Sequence, residues 1–123
     1  FRRLLRPGGR LLLSDIVSYD DFTADTHLQT LELLRDRSHV RDHSVAQWLA
    51  MMTEAGFTTE LIGTAPVPLN FEAWVKRIQT PEQQVATIKT IWDSAPATIR
   101  EAFRVEPDYS FTLTVAVMVA QKA

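Results

Sequence analysis

No cysteine occurs in the 123 residues of this chain. That absence excludes disulfides, zinc-thiolate sites and cysteine nucleophiles, and it removes any direct sign of redox compartment. Long apolar runs are missing too. The longest mostly apolar stretch, Phe111 to Ala120, falls far short of the roughly 20 residues a membrane-crossing helix needs, so no membrane span is expected. The basic start, Phe1-Arg2-Arg3-Leu4-Leu5-Arg6, leads into no apolar segment with a small-residue cleavage site. It does not read as a signal peptide, and a cytoplasmic location is the default. An excess of positive charge is also lacking: the formal net charge is -2, which leaves no basic footprint for nucleic acid and points to a small-molecule partner. Glycine is scarce, and no Gly-x-Gly-x-x-Gly is present. No methionine opens the chain, which begins as if inside a helix and reads as a fragment or processed product.

What is present suits one folded unit. A hydrophobic fraction of 46% is enough to build a core, and no Gly/Ser-rich linker or repeat divides the chain. Phe1 to Arg6 reads as a helix end, stopped by Pro7-Gly8-Gly9. Arg10 to Val17 is a near-continuous apolar run with one polar pair, the pattern of a strand buried on both faces. Leu28, Leu31 and Leu34 recur at helical spacing within Thr23 to Arg35, and the stretch from Asp36 to His43 has no apolar period and reads as a polar connection. Ser44 with Gln47 three residues on is a capping box; the helix it opens carries Val45, Trp48, Leu49 and Met52 and ends at Gly56.

Thr58 to Ala65 is a strand candidate, closed by Pro66 and Pro68. Asn70 can cap a helix with Phe71, Trp74, Val75 and Ile78 on one face, and Thr80-Pro81 reads as a cap and first helical position for the next. A short helix from Pro96 is expected to bury Ile99 and Phe103. Phe111 to Gln121 alternates Phe111, Leu113, Val115, Val117 and Val119 with a second face of mostly small residues, the strongest strand pattern in the chain.

This order of elements resembles the second half of class I S-adenosylmethionine-dependent methyltransferases. The stretch Arg3-Leu4-Leu5-Arg6-Pro7-Gly8-Gly9-Arg10-Leu11-Leu12-Leu13-Ser14-Asp15 is similar to the segment entering the family's fifth strand. Arg35-Asp36-Arg37-Ser38-His39-Val40-Arg41 and Trp48-Leu49-Ala50-Met51-Met52-Thr53-Glu54-Ala55-Gly56-Phe57 resemble its ubiquinone/menaquinone-biosynthesis branch. The resemblance implies an α/β chain, the C-terminal half of a Rossmann-like fold, holding strands five, six and seven with the last antiparallel and inserted between the other two. It implies that residues 18–43 and 66–108 are helical lid insertions over a substrate. The cofactor, S-adenosylmethionine, is held in that family by segments of the other half, so no cofactor-binding residue is expected here and the isolated chain is expected to be inactive. The methyl acceptor is expected to be a small, apolar molecule. A chain cut at the fifth strand also leaves an apolar edge, for which self-association or pairing with an N-terminal half is expected. A non-catalytic binding or assembly module that keeps the fold is the other reading.

Five residues are candidates for the substrate pocket. Asp15, near the carboxyl end of its strand, lies beside the expected substrate or bonds nearby amides in a turn. His39 could accept a substrate proton or sit solvated, and Arg41 could bind an anionic or carbonyl group or pair with Asp42 or Glu32. His27 could face core or pocket, and Trp74 could be a wall for a planar substrate or plain core. Three histidines with no carboxylate at ligand spacing predict no metal site.

Overall fold

The computed structural model describes residues 6–122, so the expected helix end at Phe1 to Arg6 lies almost wholly outside the described residues. Three strands, β1 (Arg10–Val17), β2 (Phe57–Leu69) and β3 (Phe111–Lys122), form one sheet in the order β1-β3-β2. Both neighbours run antiparallel to β3, so β1 and β2 point the same way with the last strand inserted between them. This is the strand order and direction that the methyltransferase resemblance implies. The Pro-Gly-Gly turn is held by hydrogen bonds from the Gly8 amide to the Lys122 carbonyl and from the Lys122 amide to the Gly9 carbonyl, with Gly8 at a φ of 79° that favours glycine.

Among the described residues there are also five helices: α1 (Phe22–Arg35), α2 (Val45–Glu54), α3 (Phe71–Lys76), α4 (Glu82–Ser94) and α5 (Ala97–Ala102). Two of the expected caps form: Asn70 accepts from the Ala73 amide in α3, and Ser44 and Gln47 make both halves of the capping box on α2. Asp21, which the sequence reading placed only in a loop, accepts from the Ala24 amide at the start of α1. Thr80 does not cap α4. Its hydroxyl donates instead to the Arg35 carbonyl at 3.0 Å, tying the end of α1 to the α3–α4 turn, and Pro81 takes the cap position with no side-chain bond.

Two further expectations are corrected. Pro66 and Pro68 do not close β2, which continues to Leu69. They sit two residues apart on an edge strand, opposite Thr114 and Thr112, so both missing amides fall on the same side and a strand can carry them if that side is the unpaired one. The helical segment that follows β2 therefore begins at Asn70. Ile78 falls beyond α3 and is 39% exposed, because the helix stops at Lys76 and Gln79 turns the chain with a φ of 55°.

The core explains how one strand can serve two layers. At its start β3 buries Phe111 and Leu113 against α1, α3, α4 and α5, with Leu28, Leu31, Trp74, Ile88, Trp92 and Phe103 around them. Further along, the opposite face is buried: Ala116 and Met118 pack with Val17 of β1 under Val45, Trp48 and Leu49 of α2. The small face of β3 is thus the close-packed one where α2 lies on it. On the other face at that end Leu12 is 69% exposed and Ile62 58%, leaving a patch of the sheet with no described element over it.

Candidate functional site

β1 and β2 are co-directional, and both carboxyl ends run into helical insertions, so the helical layer sits at the sheet end where α/β folds bind ligands. The first insertion is closed at its base. The Ser18 amide donates to the His43 carbonyl at 2.9 Å, bringing the entry and exit of residues 18–43 together.

α1 carries two adjoining stripes. Ala24, Leu28 and Leu31 enter the core, while Asp25, Gln29 and Glu32, at spacings of four and three, face the connection from Asp36 to His43. That connection is folded onto the helix by side-chain bonds. Asp36 accepts from the Ser38 amide and hydroxyl, which pulls its carboxyl below the usual range, and the His39 amide donates to the Asp36 carbonyl.

Gln29 organises the seam. Its Nε2 donates to the Asp42 carbonyl at 2.7 Å and to Asp25 Oδ1 at 3.0 Å; its Oε1 accepts from the Asp42 amide at 3.1 Å and meets His39 Nε2 at 3.0 Å. Two of those partners are main-chain groups with fixed donor and acceptor character, so the orientation of the amide follows from the backbone. His39 Nε2 must then be the donor. Its Nδ1 faces Glu32 Oε2 at 3.8 Å, with the His39 and Glu32 side chains only 13% and 15% exposed.

The carboxylates of this seam are held differently. Burial opposes ionisation of Asp25, but hydrogen bonds from Ser18, Gln29 and Arg41 outweigh it and keep its carboxyl below the usual range. Glu32 has no such donors. Burial, with the nearby Asp42 and Asp36 charges adding and Arg35 opposing, pushes its carboxyl up to about 7. Burial also raises Asp42, whose Oδ2 is shut off from solvent without a hydrogen-bond partner.

The five sequence candidates fare unequally. His39 and Arg41 do come together in this seam; Arg41 pairs with Asp25 at 2.6 Å, neither Asp42 nor Glu32 being its partner. Asp15 is exposed and accepts from the Ile16 amide at 2.8 Å. His27 lies against Trp92, ring centres 6.0 Å apart, and burial lowers its basicity. Trp74 is core: it is 3% exposed, edge-on to Phe111, with the Arg35 guanidinium 4.8 Å over its ring. A cleft of about 350 Å³ between Phe71, Val85, Lys89 and Asp108 contains none of the five. Gln29, Glu32 and Asp42 were missed as members. Their signal was the polar stripe at 25, 29 and 32 running beside the leucine stripe of the same helix.

No protein-family model matches the chain. It is 39% identical over 121 residues to the uncharacterized protein YafE of Escherichia coli strain K12, covering 98% of this chain and 58% of that protein. It is 33% identical over 101 residues to the uncharacterized methyltransferase YcgJ of Bacillus subtilis, covering 82% of this chain and 40% of YcgJ. The crystal structure of YcgJ superposes with a TM-score of 0.92 at 29% identity, covering 98% of this chain and 54% of that one. The chain thus spans between two fifths and three fifths of the length of the curated relatives it matches.

Proposed function

Because the chain is a relative of YcgJ, a methyltransferase, and carries the C-terminal half of that fold, we propose that it is the substrate-covering half of an S-adenosylmethionine-dependent methyltransferase acting on a small, apolar acceptor. The observation carrying this reading is the superposition across 98% of the chain, which includes both helical insertions. Those insertions stand at the carboxyl ends of β1 and β2, where a lid can exclude water and hold acceptor and methyl donor in line. A cytoplasmic setting goes with this reading; no helix among the described residues is long and apolar enough to cross a membrane.

The residues present do not fit the cofactor. The four glycines, at 8, 9, 56 and 63, fall in two turns and an edge strand and make no glycine-rich strand-loop-helix, so S-adenosylmethionine is assigned to the remaining half of the protein. The free edge of β1 and the open patch at Leu12 and Ile62 suit pairing with that half, or with a second copy when it is missing. Calorimetric titration with S-adenosylmethionine tests the division. The isolated chain is expected to give no saturable heat, and the protein with its other half to bind and release S-adenosylhomocysteine; tight binding by the isolated chain would overturn it.

A further inference from the structure

We propose that Glu32, His39 and Asp42 form a site for a divalent transition-metal ion, Zn²⁺ foremost, that ties α1 to the connection leading into α2. One ligand atom from each of the three residues lies within 4.8 Å of the others. A zinc ion with bonds of about 2.0 to 2.2 Å spaces its donors by roughly 3.5 Å, so contraction of the cluster by about 1 Å completes the set.

Three features of the seam point to a cation. First, His39 is oriented as a metal-bound imidazole is: Gln29 Oε1 takes the proton on Nε2, and Nδ1 is the ring nitrogen turned towards Glu32 Oε2, 3.8 Å away. Second, Asp42 Oδ2 is buried with no partner, an acceptor lacking a donor. Third, the positive groups near the two carboxylates are engaged elsewhere: Arg41 on Asp25, and Arg35 on the Trp74 carbonyl and ring. One imidazole with two carboxylates suits Zn²⁺ better than Mg²⁺, which prefers oxygen ligands and its own waters. Three protein ligands leave a fourth position open to water or to a substrate oxygen.

The proposal rests on the seam's geometry and not on the methyl-transfer reading. The sequence expectation of no metal site rested on the lack of a carboxylate at ligand spacing; Glu32 and Asp42 reach His39 through the fold. The protein, stripped with chelator, is titrated with Zn²⁺ by calorimetry, and with Co²⁺ for its visible absorption. One saturable equivalent is expected. It is lost in Glu32→Gln and in His39→Gln, weakened about 10- to 100-fold in Gln29→Ala, and kept in His43→Gln, whose ring packs on Trp48 outside the cluster. Circular dichroism checks that each variant is folded. Absence of saturable binding in the native protein, or undiminished binding in folded Glu32→Gln and His39→Gln, overturns the proposal.

Discussion

Two regions of the helical layer solve burial in opposite ways. Between α1, α4, α5 and β3, the rings of Trp92, Phe103 and Phe111 interlock at centre distances of 5.3 and 5.5 Å, and stability comes from removing apolar surface from water. On the next stripe of α1, hydrogen bonds fold Asp25, Gln29, His39 and Asp42 together beside Glu32, and all three carboxyls leave their ordinary titration, Glu32 and Asp42 upwards and Asp25 downwards. The first region is apolar but for one buried donor without a partner, Trp92 Nε1. The second retains unspent polar capacity, which is the usual mark of a surface kept for chemistry.

The contrast can be broken from the apolar side first. Trp92→Ala, at a residue 1% exposed, is expected to cost about 3 to 5 kcal/mol in denaturant unfolding, enough to unfold a marginal domain. A loss under about 1 kcal/mol would mean that the helical layer is not packed as described.

The polar seam gives a smaller, pH-dependent effect. Glu32 is neutral in both folded and unfolded chain below its ordinary 4.5. Between there and about 7 the unfolded chain ionises first, so the contribution of Glu32 to stability is present in acid and is lost as pH rises through the folded value. In metal-free protein Glu32→Gln is therefore expected to gain about 1 to 3 kcal/mol on wild type between pH 5 and pH 8. Parallel stability profiles of the two proteins would show that Glu32 titrates normally.

Where the seam hands over to α2, Ser44→Ala removes the capping-box hydroxyl and is expected to cost about 1 kcal/mol, by thermal or urea unfolding. Leu12→Thr, on the open patch outside both regions, sets the floor. In the isolated chain it is expected to change stability by less than about 0.5 kcal/mol, and a larger loss would mean that the patch is covered by a second copy.

Much of the layout was legible beforehand. The Ser44 box, the Asn70 cap, the leucine stripe of α1 and the alternation of β3 are local patterns, and each became the element it suggested. Errors came where a local rule met a distant partner. Prolines stop most strands, but Pro66 and Pro68 lie on an edge whose other side needs no amide from them. Thr80 would cap a free helix, but the Arg35 carbonyl from 45 residues away takes its hydroxyl. Trp74 and His39 both looked amphipathic in function; the core took one and the seam the other.

By itself the sequence determined the inventory of helices and strands, and through its resemblance the order of the sheet. Both follow from short-range periodicity, capping chemistry and turn residues, which are properties of neighbours along the chain. Only the tertiary structure decided which polar residues share a site. Glu32, His39 and Asp42 show no ligand spacing in the sequence; they meet because the Ser18–His43 bond closes the first insertion and the amide of Gln29 clamps the Asp42 backbone against α1.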